Sequence, residues 1–529
     1  MKKIEREEAL RRYIPKSRKR KIDYYFESWY ADGSRLPLVV KGARQIGKTE
    51  AIRHFAESHY DSLVEINFVE QPKYKRITAD GYGAQEVVSA LSRLNPDFHF
   101  PKGKRTLLFF DEVQEFPDIA TSLKFFAQDG QYDVICSGSL LGVHYKKIAS
   151  VAVGFKVDKD MYSLDFEEFL WARGYGDDLV EELLSCMRSQ SPLKETTHFA
   201  LRGLFLDYCT LGGMPYVVRN YIERRSFEGS LASQRRIVRD YGDDIRKYAE
   251  GLDKVRILKV FNHIPAQLAN ETTIKFQISK VAHGARAREY APCVDWLRDA
   301  GVANVCYALR TPKLPLAGNY DESRYRVFMG DTGLLMGMME PEVGEDVRVN
   351  RNLGIWKGAL YENIVAEALV KSGRPLFYWK RDESKLEMDF FLRREEELIP
   401  LEVKGGNDSA KSLNEMIRSE KYPGIKWGIK MADANIGFVD NKLTLPWFCA
   451  FLLDRYLGGD SNAADAVAWF EMLHRVKCPM PRDYTFKSFK TAESAFPAGV
   501  KLAINDAWPT NQCYPAFAKS LVDRGAKID

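Results

Sequence analysis

Residues 41–50 read "KGARQIGKTE", two glycines with four residues between them and a Lys-Thr pair behind the second. The apolar run "LPLVV" (36–40) leads in. "KTEAIRHFAES" leads out, with Ala51, Ile52, Phe55 and Ala56 recurring at helical spacing. The stretch therefore reads as strand, glycine-rich turn and helix. Gly42 and Gly47 let the chain curl so that successive backbone N–H groups point inward at a phosphate, and the helix N-terminus adds its positive end. Lys48 brings a point charge to the β- and γ-phosphates, and the Thr49 hydroxyl can take one place on Mg²⁺. Gly42, Ala43, Arg44, Gln45, Ile46, Gly47, Lys48, Thr49 and Glu50 form the candidate nucleotide-binding segment. The plainer alternative is a strand-to-helix turn that happens to contain glycine.

Three more apolar runs follow: "SLVEINF", "RTLLFFDE" and "YDVICSGS". Each stops at polar or small residues, with amphipathic stretches between. Alternation of this kind predicts a parallel sheet covered on both faces, with ligands at the carboxyl ends of the strands. The strand ending at Phe110 delivers Asp111 and Glu112 to that edge, and a buried strand has no packing reason to end in two acids. Asp111 suits a Mg²⁺ site, and Glu112 suits the polarisation of an attacking water. Ser137 is the candidate to sense a γ-phosphate or orient that water. The alternatives are a helix N-cap for Asp111 and an ordinary turn serine at position 137.

A chain of 529 residues is too long for one hydrophobic core, and roughly three domains are expected. Its 45% apolar and 29% charged residues are ordinary for a globular protein, and a net charge of +5 says little about partners. No window approaches a membrane span. The basic N-terminus lacks the apolar stretch of a signal peptide, and Glu5, Glu7 and Glu8 argue against a transit peptide, so a cytoplasmic location is expected. The eight cysteines contain no C-x-x-C pair and the eight histidines no H-E-x-x-H, which leaves no zinc motif and no disulfide scaffold.

Five segments are expected: a basic stretch (1–21), a phosphate-binding α/β domain (22–174), a helical domain (175–337), a second α/β domain (338–456) and an extension of no assigned role (457–529). In the helical domain, "VRILKVFNHIPAQLA" and "AREYAPCVDWLRDAGV" read as helices and "VCYALRT" as a short strand. Helix, helix and small wing is the order of many DNA-binding modules. Glu289, Asp295 and Asp299 make the second helix more acidic than a recognition helix should be, so docking of a protein partner is the alternative.

In the second α/β domain, "LEMDFFLRREEELIPLEVKGG" reads as a β-hairpin. A turn between Glu395 and Glu396 pairs residues whose numbers sum to 791, which sets Asp389 opposite Glu402. Two carboxylates so placed can share a divalent cation, with Lys404 on the same strand face. Phe390, Phe391, Leu401 and Val403 supply the apolar partners, and Pro400 should lie at an edge or an unpaired position. The set looks like the D-x(n)-E-x-K arrangement of restriction-endonuclease-like folds, with Glu362 the acid from the preceding helix. In such a site the metal activates water and the lysine stabilises charge on a scissile phosphate. An exposed charged hairpin is the alternative.

Taken in order, "KGARQIGKTE", "LLFFDEVQ", "ICSGSLLG", "MYSLDFEEFLWARG", "LGGMPYVV", "RDYGDDIRKY", "FNHIPAQLA", "REYAPCVDWLRDAGV", "LPLAGNYDESRYRVFMGDTGLL" and "GIWKGALYENIVAEAL" resemble the AAA-type ATPases of bacteria and archaea that carry a C-terminal DUF4143 domain. The resemblance runs from about residue 22 to 455. It implies an α/β P-loop NTPase domain, followed by a winged-helix-like helical domain and a restriction-endonuclease-like α/β domain, with ATP and Mg²⁺ as cofactors. Lys48, Glu112 and Ser137 are then the catalytic candidates of an ATPase, and Thr49 and Asp111 its metal ligands. Three readings stay open: an ATPase whose C-terminal domains act on DNA or RNA, an ATP-gated nuclease using Glu362, Asp389, Glu402 and Lys404, and a nucleotide-dependent switch that binds a protein partner or a second copy of itself.

Overall fold

The computed structural model describes residues 19–101, 103–138, 154–249, 254–268, 276–283, 285–351, 354–381 and 386–458. The expected extension from 459 onward and most of the basic N-terminal stretch lie outside the described residues. The chain divides into two compact units, residues 1–23 with 36–460 and residues 24–35 with 461–529. Of the second, only residues 24–35 are described, mostly the later turns of a helix, Lys21–Ala31.

The first unit opens with β1 (Leu38–Lys41), α1 (Lys48–His59) and β2 (Ser62–Asn67). Next come α2 (Ala84–Leu94), β3 (Thr106–Asp111), α3 (Ile119–Asp129), β4 (Asp133–Gly138) and β5 (Val157–Asp160). The strands form one parallel sheet in the order β2–β3–β4–β1–β5. β3 is buried along its whole length, as a strand covered on both faces should be. Val39, Ile66 and Phe110 share a core cluster with Val87 and Leu91 of α2 and Leu123 and Phe126 of α3. Parallel register brings the strand ends to one edge: Asn67 lies beside Asp111, and Val40 beside Ser137.

Helices α4 (Phe166–Ala172), α5 (Glu195–Leu211), α6 (Ser230–Tyr248), α7 (Lys254–Leu268) and α8 (Ala287–Asp299) lead to a hairpin of β6 (Ala303–Leu309) and β7 (Tyr320–Met329). The helices and strand expected here are present, but β6 is not part of a free wing. Helix α9 (Ile355–Lys371) is followed by β8 (Leu376–Lys380) and β9 (Glu387–Met388), and the four strands join as β7–β6–β8–β9. β6 is internal because Cys306, Ala308 and Leu309 are buried and need cover. One sheet thus spans the expected domain boundary between residues 337 and 338.

The chain finishes with β10 (Phe390–Arg394), β11 (Glu397–Val403), α10 (Lys411–Arg418), β12 (Gly428–Ala432), β13 (Gly437–Val439) and β14 (Lys442–Pro446), in a sheet ordered β10–β11–β12–β14–β13. Phe390 pairs with Leu401 and Arg394 with Glu397, the expected register. Asp389 itself is a bend residue just before β10. β11 is internal, and its ladder with β12 begins at Leu401, one residue after Pro400.

A buried polar network ties these parts together. Lys371 Nζ donates to Glu367 Oε1 (2.6 Å), Ser163 Oγ (2.8 Å) and the Leu164 carbonyl (2.9 Å). Glu367 Oε2 accepts from the Thr332 N–H at 2.7 Å, and Ser163 Oγ donates to Asp331 Oδ2 at 2.6 Å. Buried charges persist only when paired and hydrogen-bonded in this way. Among the described residues no helix is long and apolar enough to cross a membrane.

Candidate functional site

The loop between β1 and α1 owes its shape to three residues with positive φ: Gly42 at 144°, Gln45 at 63° and Gly47 at 92°. Gly42 has no substitute, since a Cβ there would lie 2.1 Å from the Met161 carbonyl oxygen. Left-handed residues set among right-handed ones curl a backbone into an anion-binding nest. Lys48, the first residue of α1, is buried, and its Nζ donates to the carbonyls of Gly42 (2.9 Å) and Ala43 (2.8 Å). Burial pushes the Lys48 ammonium down to about 8, against the pull of Glu112 and Asp111 in the other direction.

Asp111 sits at the mouth of this loop, 4% exposed. Its Oδ2 accepts from Thr49 Oγ1 at 2.9 Å and from Asn67 Nδ2 at 3.4 Å. Its Oδ1 accepts from the Glu112 N–H at 2.9 Å and from the Ser137 hydroxyl. All four donors are uncharged, so these bonds fix the buried carboxylate without neutralising it. A hydroxyl in contact with such a carboxylate, beside a phosphate nest, is a donor set that fits Mg²⁺. Glu112 has φ 54°, the left-handed region that glutamate seldom adopts, where β3 gives way to a short 3-10 turn. Gln114 Nε2 donates to its carboxylate. The structure therefore brings Lys48, Thr49, Asp111, Glu112 and Ser137 to one sheet edge.

Residues from other parts of the chain set the loop's peptides. Tyr241 on α6, 3% exposed, donates its hydroxyl to the Arg44 carbonyl at 2.8 Å. Arg20 donates to the Ile46 carbonyl (2.9 Å) and the Tyr162 carbonyl (2.8 Å), and is held by Glu168 at 2.9 Å. Across a planar trans peptide the carbonyl and the following N–H point opposite ways. By holding these two carbonyls, Tyr241 and Arg20 point the N–H groups of Gln45 and Gly47 each away from the group that holds its carbonyl. Arg44 is paired with Asp244, and Gln45 donates to Asp240 at 2.8 Å, so three positions of α6 grip the loop. Beyond it a cavity of about 340 Å³ runs between Gly42, Ala43, Met161, Tyr241, Gly301 and Asp331.

These supporting residues carry no phosphate-binding motif of their own, though three of them lie in a stretch that contributes to the family resemblance. Asn67 ends an apolar strand like many asparagines. Asp240, Tyr241 and Asp244 lie within "RDYGDDIRKY", where the i, i+4 spacing of two acids around a tyrosine marks their shared helix face.

Of the C-terminal candidates, Glu362 and Asp389 gather on a side chain, Arg326, while Glu402 and Lys404 pair with each other. Arg326 of β7, 13% exposed, bonds Glu362 at 3.3 Å, pairs with Glu387 and lies 3.7 Å from Asp389. Asp389 Oδ2 accepts the Val403 N–H at 2.8 Å. Glu402 takes the Lys404 ammonium at 2.6 Å on one oxygen and the Leu413 N–H at 3.1 Å on the other. Burial, with Asp389 close by, pushes Glu362 up to about 8; burial also raises Asp389 and Glu402, opposed by Arg326 and Lys404 respectively. The oxygens expected to hold a metal are therefore already engaged. Among the described residues no group of three His, Cys, Asp or Glu side chains is arranged to hold a metal ion. Asp389 and Glu402 as found do not fit a shared divalent cation.

The acid-bearing helix α8 is equally self-contained: Arg298 bonds Asp295 at 3.0 Å, Asp299 at 3.1 Å and the Tyr307 hydroxyl at 2.9 Å.

Three family models match the chain. Residues 34–170 match an AAA domain, the span that holds the loop, Asp111 and Ser137. Residues 202–342 match a domain of unknown function, DUF8612, and residues 357–449 match another, DUF4143. Comparison with curated proteins returns no match. The chain accordingly carries an AAA domain and, C-terminal to it, a DUF4143 domain.

Proposed function

We propose that this protein binds ATP on the Gly42–Glu50 loop and hydrolyses it with Mg²⁺, and that the nucleotide state repositions the helical and C-terminal parts, whose target is nucleic acid. The observation that carries the reading is the convergence of Lys48, Thr49, Asp111 and Ser137 on one phosphate nest at the carboxyl edge of a parallel sheet.

Each residue has a role that follows from its chemistry. The Gln45 and Gly47 amides meet the β-phosphate, and Lys48 exchanges its two carbonyl partners for phosphate oxygens. Thr49 and Asp111 would hold Mg²⁺, which would supply positive charge against the phosphates. Glu112 orients the attacking water and accepts its proton, while Ser137 fixes the Asp111 carboxylate and faces the γ-phosphate. Coupling follows from the grip of α6: moving the Arg44–Gln45 peptide moves Tyr241, Asp240 and Asp244.

Calorimetry with ATP and Mg²⁺ tests the binding step; saturable heat that disappears in Lys48→Ala supports it, and no heat from the native protein sinks it. DNA and RNA retention measured with and without ATP tests the target, with affinity falling steeply as salt rises. A second reading, a nucleotide-dependent protein-binding switch with an inactive nuclease-like domain, is favoured by Arg326 among the C-terminal acids. Absence of nucleic-acid binding in every nucleotide state would select it.

A further inference from the structure

The C-terminal acids lie where a nuclease-like site would bind a divalent metal, yet a guanidinium from a distant strand stands among them. We propose that Arg326 is the resident cation of this cluster, so that the Glu362, Asp389 and Glu402 carboxylates take no divalent metal ion. The proposal does not depend on how the nucleotide loop works.

Four observations support it. First, Arg326 is fixed by backbone pairing: it lies opposite Cys306 in the β6–β7 ladder, and Cys306 pairs in turn with Leu376 of β8. A residue anchored in such a ladder does not swing aside like one in a loop. Second, the guanidinium is held over the Tyr378 ring, 4.7 Å from its centroid, in the geometry of a cation–π contact. Third, Asp389 Oδ2 and both oxygens of Glu402 are taken by the Val403 N–H, Lys404 and the Leu413 N–H, and the Arg326 guanidinium stands 3.7 Å from Asp389 Oδ1. A metal at the usual distance of about 2.0–2.6 Å from both acids would sit close to a guanidinium and an ammonium and meet the repulsion of both.

The fourth observation is charge. Glu362, Glu387, Asp389 and Glu402 face Arg326, Lys404 and Lys380, the last 3.2 Å from Glu387. Even with all four acids ionised only one formal negative charge is left, and with Glu362 mostly protonated at neutral pH the remaining three acids balance the three bases, so a divalent ion would bring uncompensated positive charge into a largely buried place. Among the described residues, the acids paired with this guanidinium, Glu362, Glu387 and Asp389, all come from the C-terminal part. The cluster is then an ion-paired joint between two parts of the chain, and a domain built this way binds without cutting.

The test is Mn²⁺ binding to the full-length, nucleotide-free protein, read from the spin-resonance signal of free Mn²⁺. Native protein, Arg326→Lys and Asp389→Asn should bind Mn²⁺ alike, any background at the nucleotide loop being common to all. Arg326→Gln, checked for folding by circular dichroism, should hold Mn²⁺ at least about tenfold more tightly because a like charge has been removed, and adding Asp389→Asn should abolish the gain. Mn²⁺ held by the native protein but lost in Asp389→Asn would overturn the proposal, as would a folded Arg326→Gln that gains nothing. Should Arg326→Gln not fold, the comparison of native protein with Asp389→Asn still decides. Plasmid nicking that depends on Asp389 in the native protein would overturn it as well.

Discussion

Replacing Tyr241 by phenylalanine removes one oxygen atom and keeps the buried ring. What is lost is the 2.8 Å bond to the Arg44 carbonyl. A bond of this kind contributes about 0.5–1.5 kcal/mol net. In the variant the empty loop relaxes and its carbonyl finds water, so ATP binding must restore the peptide orientation that Tyr241 normally provides. The cost is at most the value of the bond, and ATP affinity should fall about 2- to 12-fold. Calorimetric titration with ATP and Mg²⁺ measures this directly. Asp240→Asn is the control: it weakens a more exposed contact, to the Gln45 side chain, and should change affinity by less than about twofold. If Tyr241→Phe binds ATP like the native protein while melting at a lower temperature, Tyr241 is a packing residue and the loop does not depend on α6. An equal loss in Asp240→Asn would also refute the peptide-orientation argument.

Two further outcomes follow from buried charge. Lys48 is driven down from 10.5 to about 8, so the folded state sheds its proton first and stability relative to Lys48→Met should rise between about pH 8 and 10.5. The gap between the two proteins should shift by at most about 3 kcal/mol across that window, measured by urea denaturation at pH 7 and pH 10; a constant gap contradicts the assignment. Lys371→Met leaves Glu367, 1% exposed, without its ammonium partner and should cost about 3–5 kcal/mol, with part regained by adding Glu367→Leu. A loss under about 1 kcal/mol would mean that the network does not hold the three parts together.

Elements whose patterns are local are legible in the chain itself. Gly42, Gly47 and Lys48 sit in one turn, Asp111 closes an apolar run, and the hairpin register follows from the position of a two-residue turn. Residues that act by converging from afar are not. Arg20 reaches Ile46 from the start of the chain, Tyr241 reaches Arg44 from a helix nearly two hundred positions on, and Arg326 lies on a strand within a segment expected to be helical. Each is an ordinary side chain in its own segment, and only tertiary packing gives it a partner. The expected metal pair shows the same limit in reverse: the hairpin register is as expected but its ladder starts at Phe390, leaving Asp389 in a bend that accepts the Val403 N–H, and what stands near the acids depends on strands that the register does not mention. The joining of β6 to β8 escapes the sequence for a related reason, since the burial of Cys306 and Ala308 shows its effect only once β8 is beside them.

The most direct test of the nucleotide site is phosphate release from ATP, followed together with the nucleotide retained on the protein, in native protein, Lys48→Ala and Glu112→Gln. Turnover should require Mg²⁺ and vanish in both variants, with Lys48→Ala retaining no ATP and Glu112→Gln retaining it unhydrolysed. Native rates in Glu112→Gln, or ATP held as firmly by Lys48→Ala as by the native protein, would contradict the assignment of this loop and its acids as an ATPase centre.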